Sequence, residues 1–426
     1  IAGNLFQQLY SLVDTLVIGQ VEGVTALAAV SAAGWLDWMV LGLAMGMAQG
    51  FAILIAQYFG ANDVAHLRRA AGQSILLSIG IAVLLTAVSE ALLWPTLLLL
   101  QSPENTIQLT CDYLRIIFAG VSFVMAFNLL SGFLRSLGDS RTPLYAMTSA
   151  ALCNIALDIL FVAVFRWGVF GVAIATVLSQ CLSSVICLLA LRKMPIMALS
   201  RQDLKADPPM MKQLLGLGVP VAFQNLIISI GGLALQRVVN GFGFVFMAGI
   251  NAATRLCGLM ELAGTSLASA MGTFAGQNLG ARKLDRVKLG LRRSAQIAVG
   301  MALIVALILV LFGRPLLSLF INDEPELVEQ VLTYGCRYLN VMSAGLFMLY
   351  LLFVYRSTLQ GLGDTVIPMF SGFVELAMRI GCITILPLFL GEWGVYIAEI
   401  SAWIGAGAFL MWGYYRRIHI LEKEMG

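Results

Sequence analysis

LLSIGIAVLLTAVSEALLW, residues 76–94, carries one charge, Glu90, and no regular alternation of apolar and polar residues. A helix rises about 1.5 Å per residue, so roughly 20 apolar residues cross a 30 Å hydrocarbon layer. The run therefore reads as a membrane-spanning helix. A strand of an outer-membrane barrel would instead alternate over about ten residues.

The rest of the chain follows the same rule. Of 426 residues, 60% are hydrophobic and 12% charged, and the mean hydropathy is +0.90. Soluble domains carry about 25% charged residues, so this chain has too few to clothe a 45.9 kDa globule in water. Cutting at charge clusters, Pro and Gly predicts spans at 1–21, 34–58, 69–100, 108–135, 143–165 and 168–191. A second set falls at 213–241, 248–276, 290–321, 328–355, 366–390 and 394–415. The expected fold class is an all-α polytopic membrane protein of about twelve transmembrane helices. The first span opens at Ile1 without an initiator Met or basic leader. The chain is thus expected to start inside its first helix, with no cleavable signal peptide.

Lys and Arg gather at alternate loops: Arg68 and Arg69, Arg135 and Arg141, Arg192 to Lys212, Arg282 to Arg293, Arg356, and Arg416 to Lys423. The intervening loops are acidic or neutral, with Glu22, Glu104, Asp112, Asp323 and Glu392. Because basic loops stay on the cytoplasmic side, both termini are expected there, in a cytoplasmic (inner) membrane. The net charge of +3 reflects these anchors, and nucleic-acid binding is not expected. Seven Cys are scattered without a pairing pattern, and the two His, His66 and His419, lie in predicted cytoplasmic segments. Neither pattern suggests a metal site, a cofactor or a His-based proton relay.

The chain repeats itself. IAQYFGAND at 55–63 returns as AGQNLGARK at 275–283, and AAVSAA at 28–33 as AGINAA at 248–253, both at an offset of 220. LGDSRTP at 137–143 matches LGDTVIP at 362–368, and GVAIATVLS at 171–179 matches GVYIAEISA at 394–402. Ordered matches at a nearly constant offset indicate duplication. Six spans per copy is an even number, so the repeats are parallel. This divides the chain into an N-terminal lobe at 1–191, a cytoplasmic linker at 192–212 and a C-terminal lobe at 213–426, expected to flank a central cavity. Asp139 and Asp364 follow Gly and precede Pro, which reads as turn and helix-cap chemistry.

Ionisable groups at bilayer depth cost about 2.5–3.5 kcal/mol each and tend to mark ion or substrate paths. In the first half these are Asp14 and Asp158. Asn154 lies four residues before Asp158, on the same helix face, and Thr176 adds a hydroxyl. Carboxylate, amide and hydroxyl oxygens are hard ligands that suit Na⁺ or a proton rather than a soft metal. Tyr10 stands one turn before Asp14. The second half lacks both carboxylates, since Asp14 maps to Ala234 and Asp158 near Ile383. It carries Glu375 and Arg379, Glu399 at the Thr176 position, and Arg255 with Glu261. Glu375 and Arg379 can neutralise each other as a structural pair, or contact substrate.

QQLYSLVDTLVIGQ at 7–20, FGANDVAHLRRA at 59–70, GFLRSLGDSRTP at 132–143, FAGQNLGARKLDRVK at 274–288 and QGLGDTVIP at 360–368 together resemble the multidrug and toxic compound extrusion (MATE) family, in order along essentially the whole chain. The resemblance implies a transporter of two six-helix lobes that exports small, cationic, amphipathic compounds in exchange for Na⁺ or H⁺. It also implies that Asp14, Asn154, Asp158 and Thr176 form an ion-coupling site, as in the DinF-like branch. Tyr10, Glu261, Glu375, Arg379 and Glu399 are then candidates for the substrate cavity. The acidic residue that the NorM-like branch carries in span 7 is missing from VPVAFQNLIISIGGLALQRVVNGF, 219–242. A flippase for a lipid-linked precursor is the alternative within the broader superfamily. No HExxH, CxxC, P-loop or GxSxG motif suggests an enzyme. The lobes are expected to work as a monomer.

Overall fold

The computed structural model describes residues 24–99, 104–319 and 325–425. The described chain is all-helical. It falls into two compact units, Ile1–Asn225 and Leu226–Gly426.

The first unit contains α1 (Val24–Gly60), α2 (Val64–Leu99), α3 (Glu104–Ala119), α4 (Val121–Ser136), α5 (Arg141–Asp158, continued as a π-helical turn over Ile159–Val164), α6 (Gly168–Arg192) and the start of α7 (Pro208–Gly241). The second holds the end of α7, then α8 (Phe244–Gly280), α9 (Leu284–Ser318), α10 (Pro325–Gly361), α11 (Val366–Leu390) and α12 (Glu392–Met425). Among the described residues ten helices are long and apolar enough to cross a membrane, and α3 and α4 reach that measure only when taken together. The span expected at 1–21 lies outside the described residues.

The span expected to run unbroken over 108–135 is bent by 42° between α3 and α4. The break falls at Gly120. A Cβ built there would lie 2.5 Å from a methyl of Val177 on α6, so the missing side chain lets α6 press against the bend.

Large side chains such as Leu303, Ile304, Leu307 and Leu311 of α9 face outward, the reverse of a soluble protein. Lipid is as apolar as these residues, so helix association depends on close packing. In the first unit Gly46 and Gly50 of α1 meet Gly218 and Ala222 of α7. A Cβ on Gly50 would come within 2.3 Å of the Gly218 Cα. Both pairs are spaced i, i+4, the small-residue stripe that brings two backbones together.

The repeat is visible in backbone detail. At the α1–α2 turn, the Asn62 and Asp63 amides donate to the Phe59 and Tyr58 carbonyls; at the α8–α9 turn, Arg282 and Lys283 donate to Leu279 and Asn278. Asn62 and Arg282 both hold a positive φ, 60° and 56°. At α4–α5 and α10–α11, Gly138 and Gly363 take φ of 92° and 77°, and the following Asp amide donates to a carbonyl five residues back. Asp139 Oδ1 then accepts from the Thr142 amide at 3.0 Å, and Asp364 Oδ1 from the Ile367 amide at 3.1 Å. The turn-and-cap reading of both aspartates holds.

Candidate ion-coupling site and a buried charge network

α5 brings Asn154 and Asp158 to one face by their four-residue spacing. Asn154 is 1% exposed and Asp158 0%. Neither end of the Asn154 amide has a hydrogen-bond partner among the described residues. Directly after Asp158 the helix widens into the π turn, where the Phe165 amide donates to Leu160 O, five residues back. Such turns are often found at functional sites. The turn closes on Phe161, Phe165 and Trp167, with Phe161 and Trp167 stacked at 5.0 Å between ring centroids. α6 packs along α5 and carries Thr176, whose hydroxyl is buried and has no hydrogen-bond partner among the described residues. Asn154, Asp158 and Thr176 thus stand on two adjoining helices of one unit. Tyr10 and Asp14 lie outside the described residues.

The second unit does different chemistry at the corresponding place. Arg379 Nη2 donates to Glu375 Oε1 at 3.1 Å and to Glu399 Oε2 at 3.0 Å. Arg356 Nη2 donates to the other Glu375 oxygen at 2.9 Å. Glu375, Arg379 and Glu399 are all buried. Glu261 of α8 lies within electrostatic reach of Glu399, Glu375 and Arg379. Charges at this depth persist only when compensated. Here three carboxyl groups meet two guanidinium groups, an arrangement that sums to one negative charge when all are ionised. The expected pairing of Glu375 with Arg379 is present and extends to four residues on α10, α11 and α12.

Two residues of this chemistry escaped the sequence reading. Arg356, grouped with the loop cations, lies inside α10, half-buried and paired with Glu375. Its partner is 19 residues away in the chain, so helical spacing could not reveal it. Asp37 of α1 is half-buried, and its Oδ1 has no hydrogen-bond partner among the described residues. A single acidic residue between Trp35 and Trp38 was the available signal. Repeat register pairs Asp37 with Cys257, one turn from Glu261.

Comparison with known proteins places these features in a family. The MatE family model matches residues 1–160 and 220–383. The "Probable multidrug resistance protein YoeA" of Bacillus subtilis (strain 168) is 28% identical, over 97% of this chain and 90% of its own length. The "Probable multidrug resistance protein YpnP" of the same organism is 30% identical, over 79% of this chain and 75% of its own. Among solved structures, an outward-facing multidrug resistance MATE family transporter of the MOP superfamily superposes with a TM-score of 0.92. It is 23% identical, over 99% of this chain and 94% of that one, a likeness that speaks for the fold. With a family model matched across both halves and a relative at 30% identity, this polytopic membrane protein belongs to the MatE family.

Proposed function

We propose that the chain is a secondary antiporter that exports cationic, amphipathic compounds in exchange for Na⁺ or H⁺ by alternating access. Its family membership and the multidrug resistance proteins among its relatives support the transport reading. The observation that carries the coupling reading is the buried Asn154–Asp158 face of α5, set at a π turn beside Thr176. With Asp14 from the first predicted span, these residues would supply only hard oxygen ligands to an ion. The acid-free α7 favours the DinF-like over the NorM-like branch. Tyr10, Glu261, Glu375, Arg379 and Glu399 would face the transported cation. The protein would sit as a monomer in the cytoplasmic membrane, with both termini inside.

The exchange works by competition. In the outward-open state Asp14 or Asp158 takes up the incoming ion. The change in local charge weakens substrate binding, and the compound leaves outward. Reset requires that the ion bind the two states with different affinity, because only differential affinity shifts an equilibrium.

Ethidium efflux from proteoliposomes under an imposed Na⁺ gradient, and separately under a pH gradient, tests this. One gradient is expected to drive efflux in the wild type, and Asp158→Asn to abolish it at equal reconstitution. Undiminished efflux in Asp158→Asn would overturn the coupling role. Absence of gradient-driven efflux from folded wild-type protein would overturn the antiport reading.

A further inference from the structure

The two units treat one repeat-related place differently. In the first unit α6 stops at Arg192, and the chain turns back across the start of α2. There Arg68 donates to the Pro195 and Ile196 carbonyls at 2.8 and 3.0 Å, and Gln73 to the Asp203 and Lys205 carbonyls at 2.9 and 2.8 Å. Gly72 leaves the room for this crossing, since a Cβ on it would lie 2.2 Å from Asp203 O. In the second unit α12 does not stop at Tyr415, the counterpart of Arg192 in the repeat. It runs on as helix to Met425, and its extension leaves α9 uncrossed. Lys288 takes the place of Arg68 and Arg292 that of Gly72.

What remains is a cavity of about 970 Å³ between α9, α10 and α12, lined among others by Lys288, Arg292, Tyr355, Tyr415 and His419. Glu422 neutralises Lys288. Arg292 is exposed, and no carboxylate lies within ion-pair distance of it among the described residues. The cavity therefore offers a cation and phenol hydroxyls where the first unit offers donors already bound to its own backbone carbonyls.

Its polarity is graded. On the face of α9 that lines it, Arg292 is followed by Gln296 and Val299, and beyond the cavity the same face continues as exposed Leu303 and Leu307. From Arg292 to Leu303 is about 16 Å along a helix, close to half of a 30 Å hydrocarbon layer. A free phosphate would use only the polar end. An anionic phospholipid uses the whole gradient, its phosphodiester at Arg292 and an acyl chain along Val299, Leu303 and Leu307. Basic pockets between membrane helices recognise such headgroups.

We propose that the groove between α9 and α12 binds the headgroup of one anionic phospholipid, from the leaflet on the side of the basic loops. Native mass spectrometry of the full chain, delipidated in detergent and mixed with phosphatidylglycerol or phosphatidylcholine, tests it. Wild type is expected to retain one phosphatidylglycerol with at least five-fold preference over phosphatidylcholine, undisturbed by millimolar inorganic phosphate. Arg292→Gln is expected to bring the preference to parity. Ala295→Phe, which fills the groove without changing charge, is expected to remove the bound lipid of either kind. Arg286→Gln, on an exposed face outside the groove, should behave as wild type. Equal preference in wild type and Arg292→Gln, retention by Ala295→Phe, or displacement by inorganic phosphate would each overturn the proposal.

Discussion

At matching positions of the repeat the first half carries Thr176 and the second Glu399. In the first half the candidate groups are the carboxylate of Asp158, the amide of Asn154 and the hydroxyl of Thr176, and α5 holds no Lys or Arg after Arg141. In the second half the buried carboxylates are clamped by Arg356 and Arg379 within 2.9 to 3.1 Å. A duplicated scaffold has kept its turns and caps while its buried chemistry diverged. One half places oxygen-bearing side chains with no guanidinium on the same helix face. The other spends its acidic groups largely on fixed ion pairs, which hold three helices in register. A coupling ion needs ligands that can change state, and a fixed ion pair resists change.

That contrast can be broken at several points. Asp158→Asn should reduce gradient-driven ethidium efflux to background while leaving thermal unfolding in detergent nearly unchanged, because the amide fills the same volume and spares the desolvation of a buried carboxylate. Arg379→Met should act on stability instead. It strands Glu399 and half of the Glu375 pairing, and breaking a buried pair from one side costs about 3–5 kcal/mol, read as a lowered unfolding midpoint. Adding Glu399→Gln to Arg379→Met should recover part of that loss, since the double change removes the stranded charge. If Arg379→Met leaves the midpoint unchanged, the ion pairs do not hold these helices in register, and the comparison fails.

Smaller effects test the shared scaffold. Gly138→Ala and Gly363→Ala should each cost about 1 kcal/mol, because both positions need positive φ, and the two losses should be alike. A Cβ on Gly138 meets nothing within 4 Å, so its penalty is conformational. The smallest effect concerns the connector that crosses α2. Asp207 caps α7 through the Met210 amide and pairs with Arg69, and these contacts hold its carboxyl below the ordinary carboxylate range. A depressed folded value means that its stabilisation is complete above the unfolded value, about 3.9. It is lost as pH falls through the lower folded value. Pepsin cleavage within 193–207 should therefore rise on acidification, and Asp207→Asn should show the faster cleavage already at about pH 4 and change less below it.

Much of this protein was legible in the chain alone. Composition demanded a lipid solvent. Apolar run length set the spans, ten of them matched by single helices among the described residues. Asp139 and Asp364 announced their caps because such bonds close over three residues. Asn154 and Asp158 were found together because a four-residue spacing fixes a shared face on any helix. All of these are short-range consequences of helical period and turn geometry. Tertiary packing alone decided the rest. The pressure of Val177 on Gly120 goes with a bend in a span that reads as continuous. Arg356 joined Glu375, and Arg379 reached Glu399 twenty residues on, pairings no local period contains. The connector covered α2 in one half, while a longer α12 left α9 open in the other. Side chains far apart in sequence meet only where helices cross, and crossings depend on which small residues let two backbones approach.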